Sequence, residues 1–306
     1  MRKFLSGVAT AAFLLSGCVA PEGETASNGA SAPAQAANDA DPALWLVKDA
    51  DTNIYLFGTF HMLRPGLSWF DEGVRTAYDR SDEVVFEMIE PTPEAAQASV
   101  LRYALNRSGP TLREKLSPAT RAKYEAAMRS LGQAPETFDR FDPWFAALNM
   151  GVLMIQKSGF DPNSGAEKTI AAQAKATGKS LGELETFEQQ LGFFDSLPEA
   201  AQIAFLEQGL EHTDQADAML TQMLDAWSRG DPERVGALIN EGMRTSPEVA
   251  KALLTDRNAR WAQWIDDRMD RPGTVFVAVG AGHLAGADSV QRMLAARNLR
   301  ATRVRY

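Results

Sequence analysis

The chain has 306 residues, with 31 basic against 40 acidic side chains and a formal charge of −9. Arg2 and Lys3 sit at the extreme N-terminus, so the remainder of the chain is more acidic still, which argues against nucleic acid and against an anionic membrane surface as partners. The single cysteine excludes an intramolecular disulfide framework.

In chain order, Arg2 and Lys3 precede an apolar stretch from Phe4 to Leu15. It is too short to span a bilayer, which needs ~20 apolar residues, and has the layout of a secretory signal over residues 1–17. The run Leu15-Ser16-Gly17-Cys18 then resembles the lipobox of bacterial lipoproteins, in which Cys18 becomes the lipidated first residue after cleavage. Position 19 is valine rather than aspartate, which points to the outer membrane, facing the periplasm. The lipid anchor would be the only membrane contact. Residues 18–41 are Ala, Ser, Pro, Gly, Asn and Glu with almost no large apolar side chain, and so read as a disordered tether.

Residues 42–306 remain as one domain or two closely joined lobes. Leu44-Trp45-Leu46-Val47 and Ile54-Tyr55-Leu56-Phe57, parted by a turn-rich segment, predict a β-hairpin. A helix from about Trp69 to Asp79 and a β-branched strand from Glu83 to Ile89 come next. From 91 to 270 apolar residues recur at helical spacing, as in Ala119 to Leu131, Phe145 to Gln156, Glu167 to Thr177 and Thr213 to Trp227, which predicts a helical lobe. One short strand, Lys179 to Glu185, is expected inside it. Thr274-Val275-Phe276-Val277-Ala278-Val279 is an unbroken apolar run, typical of a strand covered on both faces. A helix from about Ala287 to Arg297 and a last strand, Ala301 to Tyr306, complete the chain; the C-terminal arginines read as a solvated face. The fold class is therefore α/β, a central mixed sheet built from both chain ends (42–90 and 271–306) with a large helical insertion.

Two of the three histidines lie on one local template, Gly58-Thr59-Phe60-His61 and Gly280-Ala281-Gly282-His283, each after a predicted strand. A glycine there permits a positive φ or a close approach of the main chain. Ligands of open α/β sheets sit beyond the carboxyl ends of the strands, where His61, Glu87, His283 and Glu185 would emerge. One such histidine alone can simply bond a neighbouring loop. Two imidazoles with one or two carboxylates suit Zn²⁺, Mn²⁺, Co²⁺ or Fe²⁺ and can activate water. Glu87, between Phe86 and Met88, must either pair with a cation or metal or face solvent on an edge strand. His212 reads as a surface residue.

Gly58 to His61, Glu87, the stretch Leu184-Glu185-Thr186-Phe187-Glu188-Gln189-Gln190-Leu191 and Gly280 to Leu284 together resemble the TraB/GumN family, relatives of the Wnt-cleaving Tiki proteins. The wider group includes erythromycin-esterase-like enzymes and ChaN-type haem-uptake lipoproteins, so the fold alone does not fix the chemistry. The resemblance implies an α/β core with a helical insertion and, in the Tiki branch, metal-dependent peptide cleavage. It also brings in Asp161 and Gln190 as polar positions supporting the site. The expectation is a metal-dependent hydrolase of the cell envelope acting on a peptide or small molecule. His61, His283 and Glu87 would bind a divalent transition metal (Zn, Mn or Co), and Glu185 would act as general base or as an orienting group. The alternative is a non-catalytic lipoprotein that binds metal, haem or a peptide signal.

Overall fold

The computed structural model describes residues 38–211, 215–243 and 246–306. The signal, Cys18, nearly all of the tether and His212 lie outside the described residues. The fold begins slightly earlier than composition suggests. The amide of Ala40 bonds Ser68 O, that of Asp41 bonds Ser228 O, and Ala40 is buried.

Six strands form one mixed sheet in the order β4-β3-β5-β2-β1-β6. They are β1 (Leu44–Lys48), β2 (Thr52–Thr59), β3 (Glu83–Phe86), β4 (Ser180–Glu183), β5 (Gly273–Gly280) and β6 (Ala301–Val304). β1 pairs antiparallel with both β2 and β6, while β2, β5, β3 and β4 run parallel. The two chain ends thus build one sheet, and the short strand from the helical segment extends its edge. β2 and β5 lie in the middle and are buried along most of their length, as unbroken apolar runs require.

Alternation along these strands sorts the core into two layers. Tyr55, Phe57, Phe276 and Ala278 pack with Trp69, Tyr78 and Trp227 under the helices Glu72–Arg80, Ala166–Thr177 and Ala216–Ser228. Ile54, Leu56, Val275 and Val277 pack on the opposite face with Trp261, Ile265 and Leu294, from Asp256–Met269 and Val290–Ala295. The third core belongs to the helical lobe, where Tyr124, Met128, Trp144, Phe145, Phe187 and Phe194 are buried together. Among the described residues no helix is long and apolar enough to cross a membrane.

Sequence boundaries shift where the chain leaves the sheet. β3 ends at Phe86 and β4 at Glu183, so Glu87 and Glu185 stand just beyond their strands. The ladder nevertheless continues through Leu184 N to Phe86 O and Glu185 N to Glu87 O, at 3.0 and 2.8 Å. That continuation brings the two glutamates side by side.

Candidate functional site

The register of β2 on β5 pairs Thr59 with Gly280, so both Gly-x-x-His frames leave adjacent central strands at the same sheet edge. Their glycines serve close packing and not positive φ. A Cβ on Gly58 would stand 3.1 Å from the Cα of Ala281, and one on Gly280 would stand 3.0 Å from Glu87 Oε1. That position at Gly280 also lies 3.4 Å from His61 Nε2 and 3.7 Å from His283 Cδ2, so the two imidazoles and Glu87 converge there. Trp227 Nε1 donates to Gly58 O at 2.7 Å and fixes the first turn from behind.

His61 is oriented by the helix Ala166–Thr177. Gly165 allows that helix to dock, since a Cβ there would strike the His61 carbonyl, and Ala166 N bonds Phe60 O. Glu167, in the first helical turn, then meets His61 Nδ1 at 2.7 Å and also accepts from the Thr59 hydroxyl. Burial by itself would lower the imidazole pKa, but Glu167, with Glu87 behind it, raises it to about 9. The ring is 38 % exposed, so water screens part of this effect.

His283 is oriented by Asn258. Asn258 Nδ2 donates to Asp288 O at 2.8 Å, which leaves its Oδ1 to face His283 Nδ1 at 2.6 Å. Nδ1 must therefore carry the proton, and Nε2 keeps a lone pair, which faces Arg257 Nη1. Burial lowers this pKa, Arg257 reinforces the shift against the pull of Glu87, and the group is held near 3. Trp261 packs against the ring with centroids 4.2 Å apart.

Arg257 occupies the middle of the cluster. Its Nη2 lies 2.6 Å from Glu87 Oε2 and 2.7 Å from Glu185 Oε2, its Nε donates to Glu185, and its Nη1 sits 3.2 Å from His283 Nε2. Nη1 also donates to Leu253 O, in the π-helical turn Lys251–Thr255 that precedes Asp256–Met269. The Glu87 carboxylate further accepts from Gly280 N at 2.6 Å and from Gln190 Nε2 at 3.3 Å. Burial opposes its ionisation, yet Arg257, the two imidazoles and the Gly280 amide hold it well below the usual carboxylate range.

Glu185 is 4 % exposed and bonded to Arg257, Gln190 and, at 3.4 Å, Arg260. Both its oxygens are engaged, which suits an orienting group and not a free base. Gln190 projects from the first turn of Phe187–Asp195, whose start is set by a capping box between Thr186 and Gln189. Asp161 stands apart and caps the turn Pro162–Ser164 through Asn163 N at 2.8 Å. Sequence reading missed Arg257, Asn258 and Glu167. Arg257 did carry a signal, being in phase with Trp261, Ile265 and Met269 on the buried stripe of its helix.

Two cavities flank His61. One, of roughly 160 Å³, has Glu87, Glu90, Glu167 and Lys168 among its lining; Glu90 Oε1 is buried there without a hydrogen bond, and burial, against the pull of Lys168, lifts that carboxyl to about 7. The other, of roughly 440 Å³, is walled by the helical lobe and ends at Gly280–His283.

Removing Arg257 leaves two buried carboxylates facing each other. Arg257→Leu should therefore cost about 3–5 kcal/mol of folding stability. Arg260→Ala, at a half-exposed residue, should cost at most about 1 kcal/mol; equal losses in urea titrations would contradict the central role of Arg257. The histidines also set a pH profile. His61 is raised above its ordinary 6.5, so its stabilising contribution is complete below 6.5 and is lost as pH rises through about 9. His283 is depressed, so stability falls as pH drops from 6.5 towards about 3, where Glu87 adds to the loss. Between pH 4.5 and 6.5 the Glu90 carboxyl, lifted to about 7, works against His283, so the denaturation midpoint should hold level there and fall on both sides. Glu167→Gln should flatten the alkaline side; an unchanged alkaline limb in that variant would remove Glu167 as the cause.

This chain is similar over most of its length to proteins described as uncharacterized. The uncharacterized protein YbaP of Escherichia coli K12 is 23 % identical over 253 residues, 83 % of this chain and 92 % of YbaP. YbaP of Shigella flexneri matches to the same extent, and an uncharacterized protein of Treponema pallidum is 22 % identical over 274 residues, 83 % of this chain and 80 % of that one. No solved structure matches. The model of the TraB/PrgY/gumN family matches residues 43–303, and the chain belongs to that family.

Proposed function

We propose that the cleft is the active site of a metal-dependent hydrolase that cleaves peptides. The observation that carries this reading is the convergence of His61, His283 and Glu87 on Gly280, with the far nitrogen of each imidazole tied to a fixed acceptor. A carboxylate or amide oxygen behind a histidine is the arrangement that orients metal-ligating rings. The donor chemistry fits Zn, Mn or Co, with His61 Nε2, His283 Nε2 and Glu87 Oε1 as the ligands. When bound, such an ion would lower the pKa of a water molecule towards neutrality.

As the side chains stand, Arg257 faces His283 Nε2, and among the described residues no three His, Cys, Asp or Glu groups are spaced to share an ion. Loading therefore requires His283 to exchange its guanidinium contact and His61 to give up its proton. Glu167 keeps the His61 ring in place while that proton leaves, and Asn258 does the same for His283. Glu185 and Gln190 hold Arg257 and Glu87 in register. Glu87, kept ionised by Arg257, is suited to hold positive charge and poorly suited to take a proton.

The opposite pKa shifts of the two imidazoles favour a second reading, hydrolysis without metal, in which His283 must likewise exchange its contact with Arg257. Neutral His283 would accept the proton of the attacking water through Nε2, and protonated His61 would deliver one to the leaving amine. Environments that push two such groups apart in pKa commonly mark a base and an acid.

Elemental analysis and turnover on a peptide library separate the two. The first reading expects about one divalent ion per chain, its loss in His61→Ala and His283→Ala with the fold retained, and turnover that a chelator abolishes. Full turnover by metal-free protein would overturn it in favour of the acid–base pair. Metal binding without turnover would instead leave a non-catalytic binding lipoprotein.

The proposed setting is the cell envelope, through lipid on Cys18, supported by the signal-like leader and the Leu15 to Cys18 run. Cys18→Ser should abolish labelling by a fatty-acid probe in a bacterial host; unchanged labelling would remove the anchor.

A further inference from the structure

Gly151 lies within the helix Pro143–Lys157, where glycine is unfavourable because its backbone loses more freedom than that of any other residue. Most of this protein's glycines have a local reason. Gly178 ends its helix with positive φ, and Gly236 approaches the Gly286 backbone. Gly151, like the helical Gly192 and Gly209, has neither: apart from its chain neighbours and its own helix backbone, no atom lies within 4 Å of the point where its Cβ would stand. It borders the 440 Å³ cavity, whose walls include Phe60, Leu148, Ile155, Phe205, Met223 and Ile239, and whose far end is formed by His61 and Gly280–His283.

A cavity of this size lies within the range of ligand sites and has room for more than one side chain. Its walls offer water few partners, so an apolar occupant is favoured over solvent. Among the described residues no Lys, Arg, Asp or Glu lines it, and its polar groups, Thr59, His61 and His283, are gathered at one end. A fatty acid or phospholipid entering there would find no lysine or arginine for its anionic head among the described lining residues, and the positive charge of His61 is already paired with Glu167. A peptide presents a neutral amide to the histidines and an apolar side chain to the cavity. Methionines such as Met62 and Met223 can adjust to different apolar shapes.

We infer that this cavity receives apolar side chains of a peptide next to the amide held at His61 and His283, and that Gly151 keeps the room open for them. The inference rests on the hydrolase reading of the same cleft, and names its substrate class as peptides with bulky aliphatic or aromatic residues beside the scissile bond.

The test is binding to the purified full chain, with chelator present, of fluorescein-labelled hexapeptides carrying Leu-Leu or Ser-Ser at the centre, read by anisotropy. The Leu-Leu peptide should bind more than about tenfold tighter than the Ser-Ser peptide. Gly151→Phe should erase that difference, while Gly151→Ala should keep it and raise the melting temperature. If Gly151→Phe does not fold in a thermal melt, Gly151→Leu makes the same comparison. Equal affinity for the two peptides would overturn the inference. So would unchanged Leu-Leu binding in a folded Gly151→Phe protein, or a dansylated long-chain fatty acid that binds more tightly and displaces the peptide. Cleavage of library peptides without apolar preference would remove the cavity's role and leave the hydrolase reading standing. Leu-Leu binding that responds to Gly151→Phe, with no cleavage under any metal condition, would do the reverse.

Discussion

The site depends on the ion pairs of Arg257 with Glu87 and Glu185. Two carboxylates carried to the same sheet edge by β3 and β4 would repel each other in a setting where Glu185 is almost wholly buried. Arg257 bonds both and stacks over Trp261, with its guanidinium carbon 4.8 Å from the ring centre. A planar donor fork can serve two carboxylates and a ring at once, which an ammonium could not do. The cluster need not add net stability, since burying charges is expensive even when they are paired. What it supplies is position: an ionised Glu87 beside His283, held from three sides.

The parallel pairing of β2 with β5 is the second constraint. It joins segments from opposite ends of the sequence and sets the two Gly-x-x-His frames side by side. The glycines at the strand ends let the backbones and the Glu87 carboxylate close up, with no side chain standing where the imidazoles meet. The helical lobe then walls one side of the cleft with apolar surface, while the smaller cavity on the other side adds Glu87, Glu90, Glu167 and Lys168 to apolar walls that include Phe86, Met88 and Leu181.

Much of this was legible in the sequence for a physical reason. Buried central strands must be unbroken apolar runs, so β2 and β5 stood out, and the histidines directly after them share an edge because the two strands pair in parallel. Glu87 was legible as an acid between Phe86 and Met88 that must either find a cation or face solvent, and it finds Arg257. Arg257, Asn258 and Glu167 come from helices, where Asp256-Arg257-Asn258 and Glu167-Lys168 read as ordinary polar turns. A helix shows its buried face only through phase, and a long charged residue in phase with an apolar stripe can equally extend its head to water. The role of Glu185 was open for the same reason, because the cation that engages it comes from a distant helix.

The orientation of the two imidazoles underlies everything proposed for the cleft, and long-range ¹H–¹⁵N spectra of the histidine rings report it directly at neutral pH. His283 should appear as the neutral tautomer with its proton on Nδ1 and an unprotonated Nε2, and His61 as an imidazolium. A His283 ring protonated at Nε2 would mean that Asn258 does not set the tautomer and that Nε2 keeps no lone pair. In that case neither metal nor proton could be held there as proposed.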